Sequence, residues 1–520
     1  MVTREKFTPT AVEGSKLFIT IAAMLSSLMA VLDISIVNVA LNDIRASFGV
    51  QMDQIAWVST GYMMANIVVI PMTGWFQRRF GLKNYFLFSL CIFTISSLLC
   101  ALSWNLISLV FFRILQGMGG GAIIPTASTI MLSRYPKEEQ GMAQAFIGLG
   151  AITGPLLGPT VGGYLIDFSS WHLIFLINLP IGLLCLFVAM MSIKVPNFIP
   201  SQQQLDRYGF LLLAVGLSCL QYVLEEGNRD DWFESHIITF LSIISLTCLV
   251  TLIFQQLESK EPMIDFRVFI NRNYALCTFI NFILGTTLFG GSFLFSLYCG
   301  NVMNYAPLDI GLLFLKGTCI QIIMMPLVGK LVNVIDKRIL IAFGVIVVFF
   351  SLWKNSHLTA NSSEGALIFV LFLRALGLGC LFIPLSITAI AFVKPKELGN
   401  ALGLFNLTRE LGGSIGLAWM SSQLVNHVKE YNVTLGSHIV NGLPVVDQQL
   451  RLMQFLFYGK TEHPQQAAYQ LMQNRINLQA TVESFNKGFL ILSLVFLTSL
   501  ILLILIEKPK KGATPVEGMH

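Results

Sequence analysis

The feature that most constrains this chain is its succession of apolar runs, about fourteen of them, each long enough to cross a hydrocarbon core of ~30 Å as a helix of about 20 residues. Inside lipid every backbone N–H and C=O must find its partner within the protein, so runs of this length dictate helices. With 55% hydrophobic and only 12% charged residues, the chain is expected to be an all-α polytopic membrane protein. Helices are expected near 17–41, 54–75, 84–102, 105–131, 141–165, 173–193, 208–226, 236–256, 274–298, 308–332, 339–354, 365–392, 400–422 and 486–506, with ends uncertain by about four residues. The first run, Leu17 to Leu41, is too long for a signal-peptide core and is expected to remain as the first helix.

Basic residues orient the chain. Arg4, Lys6 and Lys16 precede the first helix, and every second connection then carries a basic cluster, among them Arg78, Arg79 and Lys83, Arg134 and Lys137, and Lys394 and Lys396. The positive-inside bias places these loops and both termini in the cytoplasm, with Lys508, Lys510 and Lys511 closing the chain there. The net charge of +5 is spread over short loops and gives no nucleic-acid surface. The nine cysteines lie in or beside apolar runs, with no disulfide framework and no metal-ligand spacing.

An internal repeat is visible. SRYPKEEQGMAQAF from Ser133 is echoed by AFVKPKELGNALGLF from Ala391, and Arg113, Gly117, Gly119 and Pro125 by Arg374, Gly377, Gly379 and Pro384. Two six-helix bundles related by an axis along the membrane normal would produce this, with two extra central helices between them. The expected division is a first bundle over 1–200, two additional spans and linkers over 201–265, and a second bundle over 266–520 that carries a long outer loop at about 422–485.

Gly148 to Gly163, GLGAITGPLLGPTVGG, is almost free of side chains. Its glycines fall largely at spacings of four, which makes a smooth helix face, and Pro155 and Pro159 weaken the helix at its middle. The stretch suits either a moving part or a tight static crossing; as a moving part, its glycine face is expected to form the seam against the other bundle. Asp33 and Arg113 are expected at similar depth below the outer surface, close enough to meet as a proton switch or as a permanent ion pair. Lys316, Arg374, Arg409 and Glu410 are further intramembrane charges in the second half.

LDISIVNVALN (32–42), GWFQRRFGLK (74–83), LVFFRILQGMGGG (109–121), the Gly/Pro stretch, SSWHLIFLINLPIGL (169–183) and LTRELGGSIGLA (407–418) together resemble the ordered signature motifs of the major facilitator superfamily. The set is most similar to its fourteen-helix drug:proton antiporter branch and, within that, to EmrB-type pumps of Gram-negative inner membranes. The resemblance implies the major facilitator fold and proton coupling at Asp33 with Arg113. It implies an antiporter motif at Gly150, Gly154, Pro155, Gly158, Gly162 and Gly163, and a cytoplasmic gating loop at Gly74, Arg78, Arg79, Gly81 and Lys83. Arg78 stands where the family has an acid, and Asn42 and His172 replace the usual proline and arginine.

The 422–485 connection carries an amphipathic VDQQLRLMQFLFYGK, and Pro464 is placed to open another helix. It reads as a solvated, self-packed hairpin or, by the resemblance, as a dock for a periplasmic adaptor leading to an outer-membrane channel. No phosphate-binding glycine loop or catalytic constellation is present, so the expected energy source is the proton gradient, with no cofactor, no metal and no enzymatic activity. The expected partners are a small lipophilic molecule and the bilayer. Asn38, Tyr62, Gln116, Phe146, Asn281, Phe289 and Phe293 are the expected lining of a midplane site for flat lipophilic cations or weakly acidic uncouplers. Export of a single metabolite or siderophore, a transport-inactive receptor or scaffold and, more distantly, an enzyme acting on lipid are the competing readings.

Overall fold

The computed structural model describes residues 12–507 except 197, 392, 395, 396, 438–443, 459, 461 and 462, and omits the side chains at 52, 53, 152, 155, 156, 159, 167 and 445. Arg4, Lys6, Pro395, Lys396, Lys508, Lys510 and Lys511, and the side chains of Pro155 and Pro159, therefore lie outside the described part. The described chain is helical almost throughout. In order, the helices are α1 (Lys16–Phe48), α2 (Met52–Phe80), α3 (Leu82–Ala101), α4 (Leu106–Arg134) and α5 (Gln140–Phe168). They continue as α6 (Leu173–Ser192), α7 (Arg207–Glu226), α8 (His236–Glu258), α9 (Arg272–Asn301) and α10 (Pro307–Leu331). The last are α11 (Lys337–Asn355), α12 (Glu364–Ile390), α13 (Leu398–Ser437), α14 (Pro444–Phe457) and α15 (Pro464–Ile504).

Twelve described helices are long and apolar enough to cross a membrane. With α5 and α13, which are of spanning length and packed among them, the bundle reaches the fourteen read from the sequence. Polar caps sharpen several starts. Asn105, Asp206, Asn271, Asp336 and Ser363 each accept a bond from a backbone N–H in the first turn of α4, α7, α9, α11 and α12. Gly81, at φ 83°, allows α2 to pass directly into α3. α6 has an irregular turn at Ile177, next to Pro180, which lacks the N–H that would bond Leu176.

α1, α3, α4 and α6 share apolar cores in the first half, and α9, α11, α12, α13 and α15 share one in the second. The pair α7–α8 packs through Leu213, Leu217 and Leu252 onto a cluster that joins Ile67 and Ile70 of α2 to Leu404 and Leu407 of α13. Phe240, Ile243, Leu246 and Phe254 of α8 remain exposed, as a lipid-facing surface requires.

The 422–485 connection is mostly helical rather than an irregular loop. α13 runs on to Ser437, α15 begins at Pro464 as the sequence suggested, and α14 packs against α15. Polar faces on the extended turns hide this continuation from a hydropathy reading.

The two halves meet in close backbone contact near the end that bears Arg78, Arg79 and Lys83, here termed the basic end. A Cβ on Gly74 would lie 2.7 Å from the Asn400 backbone nitrogen, one on Gly403 2.8 Å from the Ile70 carbonyl, and one on Gly329 3.0 Å from the Gly141 carbonyl. Asn333 also donates to the Glu138 carbonyl across this seam.

Candidate functional site

Asp33 and Arg113 meet inside the first half. Arg113 Nη1 donates to Asp33 Oδ2 at 2.5 Å, with side chains 1% and 0% exposed respectively. The other carboxylate oxygen, Oδ1, accepts from Gln116 Nε2 at 2.9 Å and from Asn178 Nδ2 at 2.8 Å. Gln116 Oε1 in turn accepts from Arg113 Nη1 at 2.8 Å, and Arg113 Nε donates to the Val58 carbonyl at 3.2 Å. Ser97 Oγ accepts from both Gln116 and Asn178 and donates to the Phe175 carbonyl. The Tyr62 ring lies 4.1 Å beneath the guanidinium. Five helices, α1, α2, α3, α4 and α6, thus supply one dry polar cluster around a single carboxylate.

A charge pair this deep persists only when its remaining donors and acceptors are engaged, because desolvation otherwise exceeds the Coulombic gain. The arrangement supports one chemical event well: addition of a proton to Asp33 removes the negative partner of Arg113 and leaves an unbalanced cation in a low dielectric. No group of three or more described His, Cys, Asp or Glu side chains is arranged to hold a metal ion.

Asn178 and Ser97 escaped the sequence reading. The signal was present, since an Asn and a Ser inside apolar runs need partners in lipid, but their partners come from other helices. Gln116 and Tyr62 were expected to face a drug and instead belong to this cluster, fully buried. Asn281 is also withdrawn from any cavity: its Nδ2 donates to the Phe405 carbonyl at 2.7 Å and ties α9 to α13. Asn38 is exposed and accepts from Ser59. Phe146 and Phe293 are half-buried against the cores of the first and second halves, and Phe289 covers Gly413. Of the seven expected lining residues, Tyr62 and Gln116 meet around Arg113, and the other five have the separate surroundings just given.

The glycine face of α5 is also corrected. Gly150, Gly154, Gly158 and Gly162 pack against Met24, Val31, Leu32, Ser35 and Ile36 of α1, within the same half. A Cβ at Gly154 would lie 2.8 Å from the Leu32 nitrogen, whereas Gly163 faces open space. The seam against the other half is made by Gly141 and Gly148, which meet Gly329 and Met325 of α10. Spacing alone identifies a smooth face but not the helix that occupies it.

In the gating loop, Arg79 Nη1 donates to the Ser201 carbonyl at 2.7 Å and Lys83 Nζ to the Met190 carbonyl at 2.8 Å, holding the loop to the end of α6 and the linker after it. Arg78, in place of the usual acid, lies in the field of Asp265 and Glu397. Of the second-half charges, Lys316 pairs with Glu364 at 2.8 Å, half-exposed. Arg409 lies 3.7 Å from Glu410 and over the Phe382 ring. Arg374 is buried over Phe314.

The family model "Major Facilitator Superfamily" matches residues 23–417. The chain belongs to this superfamily. It is 31% identical over 506 residues to the multidrug export protein EmrB of Haemophilus influenzae, covering 96% of this chain and 97% of that one. It is 30% identical over 501 residues to the colistin resistance protein EmrB of Acinetobacter baumannii, covering 94% and 96%. Among solved structures, the human organic anion transporter MFSD10 (TETRAN) aligns with TM-score 0.58 over 94% of this chain and 99% of that one, at 13% identity. That likeness concerns the fold, and it is the superfamily's fold. The protein is a multi-pass membrane transporter of the superfamily, similar to EmrB along nearly its whole length.

Proposed function

We propose that this protein is a proton-coupled antiporter that exports lipophilic drugs across the bacterial inner membrane. The observation that carries the reading is the Asp33–Arg113 pair, closed off from water and held by Gln116 and Asn178. The EmrB relatives, named for multidrug export and colistin resistance, support the substrate class.

In this reading the basic end and both termini are cytoplasmic, and the close approaches of Gly74 to Asn400 and of Gly141 to Gly329 seal that side. A proton entering from outside neutralises Asp33 and loosens α1 from Arg113. Because α1 lies in close backbone contact with the glycine face of α5, a shift of α1 passes directly to α5. Drug leaves outward, the halves rock, and release of the proton to the cytoplasm restores the pair. Residues 1–200 and 266–520 act as the rocking units, with 201–265 as a lateral brace.

The outer segment is proposed to dock a periplasmic adaptor that continues to an outer-membrane channel. Leu452, Phe455 and Leu456 of α14, and Tyr458 just beyond it, are exposed together, beside the helical extensions of α13 and α15.

The test is a proteoliposome assay with an imposed pH gradient and a small drug panel. Wild-type protein should move drug and release protons together, and Asp33→Asn should lose both while remaining folded. Proton exchange that persists in Asp33→Asn would overturn the coupling assignment.

A further inference from the structure

Arg374 is the second half's counterpart of Arg113, but its surroundings differ in one respect. It is 4% exposed, and no carboxylate, carbonyl or amide partner is recorded for it among the described residues. Its guanidinium lies over the face of Phe314, 5.5 Å away. Where the first half has Asp33 on α1 against Arg113 on α4, the second half has Gly291 on α9 against Arg374 on α12, separated by roughly the same repeat distance. A Cβ built on Gly291 would lie 3.6 Å from Arg374 Nη1, 3.6 Å from Leu352 and 4.0 Å from Leu492, all ordinary contact distances. The position therefore admits a Cβ in direct contact with the guanidinium, where the sequence supplies none.

A desolvated guanidinium without a counter-charge is strongly unfavourable, and arginine cannot shed its proton to escape the cost. A ring face offsets only part of it. The unmet demand is for one negative charge with lone pairs directed at Nη1, in a notch flanked by Leu352 and Leu492.

We propose that Arg374 and the notch at Gly291 form a site for one monoanionic group, which takes in the second half the place that Asp33 holds in the first. The group comes either from a free small anion such as chloride or from the carboxylate of an acidic lipophilic substrate. The second source rests on the export reading above; the site itself does not.

The experiment uses the full-length protein in detergent at constant ionic strength. Its thermal unfolding midpoint is followed as gluconate, whose hydrated polyol chain bars it from a leucine-flanked notch and which therefore serves as the anion-free reference, is replaced by chloride, and separately by benzoate. Wild type should gain about 3 °C or more near saturation. Arg374→Met should lose the response while keeping a midpoint at or above that of the anion-free wild type, since it removes the unpaired charge. Gly291→Asp supplies the missing carboxylate, so it should raise the anion-free midpoint and abolish the response. A response to chloride alone identifies the free-anion source; a response to benzoate alone identifies the substrate source. A wild type indifferent to both anions, or an Arg374→Met protein that responds as wild type does, overturns the site. Pairing the titration with pH-driven drug transport separates the two failures: transport without an anion response removes the site alone, and an anion response without transport removes the export reading alone.

Discussion

Gln116 Nε2 donates to Asp33 Oδ1 at 2.9 Å from a position one helical turn beyond Arg113, so one side chain braces both members of the ion pair. Gln116→Leu keeps the volume and removes the bonds to Asp33, Arg113 and Ser97. The expected cost is about 1–3 kcal/mol, because buried donors and acceptors are left unmet. It should appear as a lower unfolding midpoint together with weaker drug-driven proton release. Intact coupling with altered drug preference would instead return Gln116 to a drug-lining role.

Gly154 and Gly163 lie in the same glycine-rich stretch but in different surroundings. Gly154→Ala would push a methyl to 2.8 Å from the Leu32 nitrogen, one residue from Asp33, while Gly163→Ala meets nothing within 4 Å. Overpacking of this kind costs about 1–3 kcal/mol. Transport should fall sharply for Gly154→Ala at unchanged membrane level and remain near wild type for Gly163→Ala. Equal behaviour of the two variants would remove the α1–α5 contact from the mechanism.

Glu397 lies at the basic end, between α12 and α13. Burial pushes its carboxyl above the usual carboxylate range, aided by nearby Asp265 and opposed by Lys394 and Arg78. Opening the seam would return the group to water and to its ordinary value. Its contribution therefore favours closure at low pH and is lost as pH rises through the raised value. Spin labels on either side of the Glu138–Asn333 contact should report more of the closed form in acid, and Glu397→Gln should flatten that dependence. A pH profile unchanged by the substitution would assign the effect elsewhere.

Lys316, near the middle of α10, and Glu364, at the start of α12, form an exposed pair. Exposed pairs contribute about 0–1 kcal/mol. Lys316→Met should leave the unfolding midpoint and drug transport close to wild type. A large loss of transport with the midpoint unchanged would reveal a role that the pair does not explain.

Much of the fold was legible because the bilayer leaves few choices. An apolar run of membrane length must be a helix, and both boundaries of α3 and α7 lie within two residues of those expected from hydropathy alone. Arg113 was legible as a functional group because a charge inside lipid demands a partner. Its principal partner, Asp33, followed from depth along two helices. Asn178 and Ser97 did not follow, since their roles depend on which faces of α3 and α6 turn toward α1. The continuation of α13 to Ser437 was hidden for a related reason: beyond the bilayer, polar helix and polar loop have similar composition.

The sequence by itself determined the number of spanning helices, the repeat between the halves, the basic end and the presence of Asp33 and Arg113 in apolar surroundings. Each of these depends on local composition read against a medium that will not hydrate backbone or charge. Only the tertiary structure decided that the glycine face of α5 meets α1, that Gln116 and Tyr62 serve the ion pair, and that Arg374 faces a glycine where Arg113 faces an aspartate. Those outcomes depend on the rotation of each helix about its axis, which is set by the packing of all its neighbours at once and leaves no local trace in the chain.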